Sequence, residues 1–392
     1  MKDEQASAGL VLQLLALKAE IKSFTEADLK AGAEQYLKLA KPKDEAAELQ
    51  ANGALARTLA KSAKGAPLAV EFAKKAEGLL TDKDPPTRHV NVLKILGRAL
   101  KMAGKADEAK AVEEKVAKME QKLDEEFIKN NMPFKPDKFG GRTSKSHRVV
   151  LVELFTGAQC PPCVSADIAF DAALHTYKYN EVVFLEYHLH IPGPDVLTNL
   201  ETEGRQAYYG NAIRGTPTMF SDGKVTPGMG GGKQNAEDRY KSLCELLNKD
   251  VEKDAGAELK LNVKRSGDKI EATADVTDLK KTGDKVRLRF ALVEEVVRYP
   301  GGNGQRLHHH VVRAFLGGIE GVALKEAKET KTASIDLATL RKELNEYIDS
   351  QTALKDGDRP LEMKELKIVA FIQDDENKEV VQAVQAGVPE DK

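Results

Sequence analysis

Residues 155–167, FTGAQCPPCVSAD, carry two of the chain's three cysteines, separated by two prolines. Their meaning depends on what flanks them. Upstream, RVVLVELF (148–155) is a continuous apolar strand interrupted only by Glu153. Downstream, residues 161 to about 176 read as a helix with Val164, Ile168 and Ala172 on one face. A Cys-x-x-Cys that closes a buried strand and opens a helix has a specific chemical use. Cys160 falls at the helix N-terminus, where unpaired N–H groups and the dipole favour a thiolate, the attacking species in thiol–disulfide exchange. Cys163, one turn later, is placed to resolve a mixed disulfide. Pro161 suits a first helical position, because its missing N–H would have no partner there.

The neighbouring sequence continues in the same style. EVVFLEYHLH is a second buried strand, and IPGPDVLTNLETEGRQAYYG reads as a loop and an amphipathic helix. TPTMFSDGK reads as a short strand with a turn, and AEDRYKSLCELLNK as a closing helix. Strand and helix alternate over this region, which predicts a mixed α/β sheet with helices on its faces. TPGMGGGKQNAED lacks the spacing of a phosphate loop, since Gln234 follows Lys233, and is expected to be a flexible loop.

Two motifs here resemble the thioredoxin superfamily: the strand–CPPC–helix unit, and RGTPTMF, in which Thr216-Pro217 precedes a strand. The resemblance covers roughly residues 147 to 250. It implies a cis Pro217 beside the reactive pair and a Thr216 backbone that docks an extended substrate. The family's buried proton-shuttling acid lies on the strand before the motif. Glu153 is the candidate, one residue further from the cysteine than expected; its alternative is an edge or solvent-facing carboxylate. Gln159 stands where thioredoxin carries Trp. With Pro161 and Pro162 supplying no N–H to the Cys160 thiolate, and no His between the cysteines, a more reducing couple is expected than in strongly oxidising relatives. The motif together with a following β-sandwich also resembles bacterial envelope or secreted proteins in which a thioredoxin-like module precedes an immunoglobulin-like domain. That resemblance implies a periplasmic or secreted location, with cytoplasmic as the alternative.

The 392 residues predict several domains. Residues 1–130 are rich in Ala, Leu, Lys and Glu and carry helical periodicity, with breaks at KSFTEAD, AKPKDEA, KGAPLA, TDKDPPTR and AGKADEA. An all-α bundle is expected, with one hairpin of tetratricopeptide style as a peptide-binding alternative and a site for a protein partner. Residues 131–147, with two prolines and two glycines, read as a linker, and 148–252 as the α/β domain. From 256 to 392 the period is two, in Ile270, Ala272, Ala274 and Val276 for example, which predicts an antiparallel β-sandwich.

A net charge of −2, 5% aromatics and no Trp argue against nucleic-acid binding, and no apolar run is long enough to span a membrane. The acidic N-terminus lacks the basic region of a signal peptide, consistent with a cytoplasmic chain or one whose leader has been removed. Cys244 reads as a buried structural thiol on the apolar face of a helix. No cofactor is expected.

The leading reading is a thiol–disulfide oxidoreductase with protein disulfides as substrates, catalytic Cys160, Cys163 and Glu153, and Thr216, Pro217 and His190 at the substrate site. The alternative is a non-enzymatic scaffold or binding protein, in which CPPC is a structural disulfide or part of a copper or zinc site. Such a metal site would recruit His188 or His190, two apart on one strand. His190 is better placed at the active-site rim. His308 and His310 share a strand face and are expected at an interface or in solvent.

Overall fold

The computed structural model describes residues 2–21, 23–354 and 357–391. The chain forms two compact units, Met1–Lys129 and Asn130–Lys392. The first is built from helices α1 (Lys2–Glu20), α2 (Glu26–Ala40), α3 (Glu45–Leu59), α4 (Ala66–Gly78), α5 (Pro86–Met102) and α6 (Ala106–Asn130). The breaks fall where the sequence places them, and local chemistry explains why. Thr25 and Asp28 form a capping box at the start of α2, with Asp28 N–H donating to Thr25 Oγ1 at 3.2 Å. Asp44 caps α3, and Pro86 occupies the first turn of α5. Leu15, Leu29, Leu55, Leu59, Phe72 and Leu96 form the shared core. Leu10, Leu14 and Leu17 of α1, with Ile21 just beyond its end, form an exposed apolar row.

The second unit contains β1 (Val150–Thr156), α7 (Val164–Thr176), β2 (Val182–His188), α8 (Leu200–Tyr209), β3 (Thr218–Ser221), β4 (Lys224–Thr226) and α9 (Ala236–Asp250). It continues with β5 (Glu258–Ser266), β6 (Lys269–Thr277), β7 (Gly283–Arg298), β8 (Leu307–Phe315), β9 (Val322–Leu324) and β10 (Glu329–Asp336). It ends with α10 (Leu337–Ser350), β11 (Leu366–Asp374) and β12 (Val380–Gly387). The architecture is thus a helical unit, a mixed sheet with helices, and a separate antiparallel sheet.

The expected α/β and β-sandwich regions are not two sheets side by side. One nine-stranded sheet runs β12-β11-β7-β8-β2-β1-β3-β4, with β9 paired to β7. β1 and β2 are parallel, β1 and β3 antiparallel, and β2 meets β8 in parallel at the pair Glu186 and Val311. The second sheet, β10-β6-β5, packs on the β7–β11 end. There Ile270, Ala272, Ala274 and Val276 meet Leu288, Phe290, Ile368 and Ala370. The opposite face of the same strands explains the continuity. Ala291, Val293, Val369 and Phe371 share one apolar cluster with Leu151, Phe155, Val183 and Leu185. Strands buried on both faces cannot end a domain at the sheet edge.

The expected linker is also strapped down. Phe134 and Phe139 pack against the core formed by β1, α7 and α9. Arg142 donates to the carbonyls of Arg148, Asn180 and Val251, and Glu252 accepts the N–H groups of Thr143 and Ser144 at 2.7 Å. Two aromatic rings placed in an apolar core outweigh the flexibility that the prolines and glycines suggest.

Candidate functional site

β1 delivers its C-terminal end into the loop 157–160, a 3-10 turn over Pro161–Cys163, and then α7. Cys160 and Cys163 form a disulfide with Cα atoms 5.4 Å apart. Both cysteines are buried, Cys160 to 1% exposure, while Pro161 and Pro162 face solvent. The Thr216–Pro217 peptide is cis. Thr216 Oγ1 donates to Cys160 Sγ at 3.2 Å, and the Thr216 carbonyl oxygen lies 3.6 Å from the same sulfur. Beside Pro217 opens a cleft of about 420 Å³ lined by Asn211, Arg214, Thr218, Val225 and Met229.

Two segments hold the turn. The glycine-rich loop, expected to be flexible, is bonded to it by its backbone. Gly231 N–H donates to the Pro162 carbonyl at 2.8 Å, and Ser165 N–H donates to the Gly231 carbonyl at 3.1 Å. Gly231 takes φ 148°, and a Cβ there would fall 2.6 Å from Asn235 Oδ1. On the other side, Asn303 N–H donates to the Ala158 carbonyl and Asn303 Nδ2 to that of Gly157.

Glu153 is not brought to the disulfide, nor is it an edge carboxylate. Val150, Val152 and Leu154 face α7, so Glu153 points to the opposite side of the sheet with Leu151 and Phe155. There it is fully buried and accepts from Arg205 Nε at 2.8 Å, Arg205 Nη2 at 3.0 Å and the hydroxyls of Tyr187 and Tyr209. Gln373 Oε1 takes a further Arg205 N–H at 2.8 Å. The proton-shuttle expectation for Glu153 therefore fails on strand parity: the residue faces the wrong layer.

The buried acid of α7 nearest in sequence to the disulfide is Asp167, one helical turn beyond Cys163. Its Oδ1 accepts from Thr156 Oγ1 at 2.6 Å, and burial together with the charge of Glu186 pushes its carboxyl well above the usual range. The sequence signal was present, an acid at i+4 from Cys163 on a helix buried on nearly every side.

The histidines separate. His190 is half-buried and tied to Tyr347 Oη at 2.9 Å and to Asp195 N–H at 2.9 Å. It braces the 190–195 turn against α10, and no contact joins it to the disulfide among the described residues. His188, fully buried, contacts Asp195 Oδ2 through Nδ1 and Glu186 Oε1 through Nε2, each at 2.8 Å. Burial opposes its ionisation, but the two carboxylates outweigh that and raise it to about 10. Asp195 Oδ2 also accepts the Ala158 N–H at 2.6 Å, which links this cluster to the loop before Cys160. His308 and His310 are buried, not solvent-facing, because β8 is an interior strand of the large sheet. Cys244 is half-buried against the α7–α9 core, and burial raises its thiol.

No family model matches this chain, and no curated protein matches it. Among solved structures it is similar to HBP35 of Porphyromonas gingivalis at 17% identity with a TM-score of 0.46, over 64% of this chain and 78% of that one. It is also similar to protein AGR_C_4864 of Agrobacterium tumefaciens at 17% identity with a TM-score of 0.39, over 62% of this chain and 96% of that one. Likeness at this level leaves the chemistry of the site to its own residues. No helix among those described is long and apolar enough to cross a membrane.

Proposed function

We propose that this chain is a thioredoxin-like thiol–disulfide oxidoreductase acting on protein disulfides, with Cys160 as attacking thiol and Cys163 as resolving thiol. One observation carries the reading: the disulfide sits at a strand-to-helix junction with the Thr216 hydroxyl 3.2 Å from Cys160 Sγ and a cis Pro217 next to it. In the reduced state the Cys160 thiolate attacks a substrate disulfide, forming a mixed disulfide and expelling one substrate thiolate. Cys163 loses its proton and attacks Cys160 Sγ, which releases the second substrate thiolate and closes Cys160–Cys163. Two electrons pass to the substrate, and an external dithiol resets the pair. Asp167, one turn from Cys163 and with its carboxyl raised well above the usual range by burial, replaces Glu153 as the proton-exchanging group of this reading. Thr216 and Pro217, with the adjoining cleft, form the substrate face; His190 has a bracing role and is withdrawn from it.

An extracytoplasmic location belongs to the same reading, since an oxidised pair persists there. So does recruitment of a protein partner by the helical unit, to which the exposed α1 row adds support. A second reading, a permanent structural disulfide, is favoured by the burial of both cysteines. Insulin reduction by the native chain and by Cys160→Ser separates the two. Cysteine-dependent turnover supports the enzyme, and equal inactivity of both, with a disulfide resistant to dithiothreitol in the folded chain, supports the structural bridge.

A further inference from the structure

We propose that Glu186, His188 and His308 bind a divalent transition-metal ion, Zn2+ by the character of the donors, across the β2–β8 seam and without either cysteine of the disulfide. Glu186 Oε1, His188 Nε2 and His308 Nδ1 lie within 4.8 Å of one another on three buried side chains. The Glu186 oxygen is 2.8 Å from His188 Nε2 and 3.7 Å from His308 Nδ1. Ligands of a tetrahedral zinc with bonds of about 2.0–2.1 Å stand roughly 3.3 Å apart, so the Glu186 oxygen lies within about half an ångström of that spacing from each imidazole, and the two imidazole nitrogens are no more than 4.8 Å apart.

What distinguishes this cluster from a fortuitous one is that each ligand's other polar atom is already held. Asp195 Oδ2 takes His188 Nδ1–H at 2.8 Å, and is itself fixed by Ala158 N–H. Tyr299 presents a carbonyl oxygen to His308 Nε2 at 2.9 Å. A carbonyl only accepts, so the proton belongs on Nε2, which leaves the Nδ1 lone pair directed at Glu186. Glu186 Oε2 accepts His309 N–H at 3.0 Å, which turns Oε1 toward the two imidazoles. Carboxylate and carbonyl partners of this kind orient the ligands of metal centres and set their tautomers. Two imidazoles and one carboxylate suit zinc, and they leave a fourth position for water or another oxygen donor.

Charge and location agree with this assignment. Glu186 and Asp195 are two buried carboxylates sharing one imidazole, and a dication balances them where a single proton on His188 does not. Among the described residues, β2 and β8 are joined at the single register pair Glu186 and Val311, so an ion held by Glu186 and His188 of β2 and His308 of β8 adds a tie across a junction with little ladder pairing. Uptake displaces the proton between His188 Nε2 and Glu186 Oε1 to solvent, with no change of oxidation state.

The test uses the full chain with its disulfide intact, refolded from denaturant with Zn2+ or Co2+ so that burial cannot block entry, then dialysed. The expected result is one retained ion per chain by elemental analysis. Zinc X-ray absorption should show imidazole and oxygen scatterers without sulfur, and the cobalt form should lack a thiolate charge-transfer band. Cys160→Ser/Cys163→Ser should retain the ion, and His308→Ala should reduce it from one to background. Absence of stoichiometric metal in the wild type, sulfur in its coordination sphere, or undiminished binding by His308→Ala would overturn the assignment. The absorption spectra read the ligands of the unmutated protein, so they decide the matter even if His308→Ala does not fold.

Discussion

Replacing Thr216 by Val keeps the branched shape beside cis Pro217 and removes the hydroxyl that donates to Cys160 Sγ at 3.2 Å. A donor aimed at this sulfur favours the thiolate over the disulfide. A bond to a charged acceptor contributes about 1.5–3 kcal/mol, whereas one between neutral groups contributes about 1 kcal/mol. Water cannot substitute readily, because Cys160 is only 1% exposed. Pro161 and Pro162 have no N–H to offer in compensation. The difference, about 1–2 kcal/mol, corresponds to a rise of roughly one unit in the Cys160 thiol pKa. Where the thiolate predominates, it also makes the couple more reducing by about 20–40 mV. Titrating the thiolate absorbance of the reduced chain, and equilibrating the pair against glutathione, measures both quantities for wild type and Thr216→Val. A variant indistinguishable from wild type in both would refute the claim that this hydroxyl stabilises the attacking sulfur.

Further outcomes follow from the other buried groups. Arg205→Leu strands Glu153 without its counter-charge and should destabilise the fold by about 3–5 kcal/mol in urea unfolding, as loss of one partner of a buried pair does. The pair lies on the far side of the sheet, so the Cys160 alkylation rate in the reduced, folded variant should stay at the wild-type value. Asp167 has a folded-state pKa raised by burial, so the folded chain holds its proton more tightly than the unfolded one. Its contribution to stability is therefore full at acid pH and declines as pH rises from about 4 through the folded value. Asp167→Asn abolishes that decline, so the variant should gain stability relative to wild type between pH 4 and pH 8 in parallel urea titrations, and should slow resolution of a mixed disulfide on Cys160. Cys244, with its thiol raised by burial, should react with iodoacetamide at neutral pH far more slowly than reduced Cys160, as read by peptide mass spectrometry.

Much of the architecture was legible because burial is written locally. Helical period, capping residues and prolines set the boundaries of α2, α3 and α5, and period-two alternation marked β6, β7 and β11. The junction at Cys160, and the downstream Thr216-Pro217, were equally visible, since a motif at a strand end needs only its immediate neighbours. Glu153 is the acid on the strand before the motif, but its offset of one residue from the expected distance already reverses its side: strand parity, with Val152 and Leu154 toward α7, places it on the other face. His308 and His310 were misjudged because alternation alone reads a strand as half-exposed, and nothing local says that β8 has neighbours on both edges and layers on both faces.

By itself, the sequence determined the helices, most of the strands, the cysteine pair at a helix start and the turn chemistry that separates them, all consequences of interactions within a few residues; β9, β10 and β12 emerge only in the fold. Only the tertiary structure decided that β1–β4 and β7–β12 share one sheet, apart from β10. It also decided that buried Asp167 hydrogen-bonds Thr156 at the end of β1, and that Glu186, His188 and His308 converge. The physical reason is pairing. Glu153 finds Arg205 52 residues away, and Arg205 finds Gln373 168 residues further on. A buried charge must have a partner, but its identity depends on which strands the apolar cores bring together, and no local pattern records that.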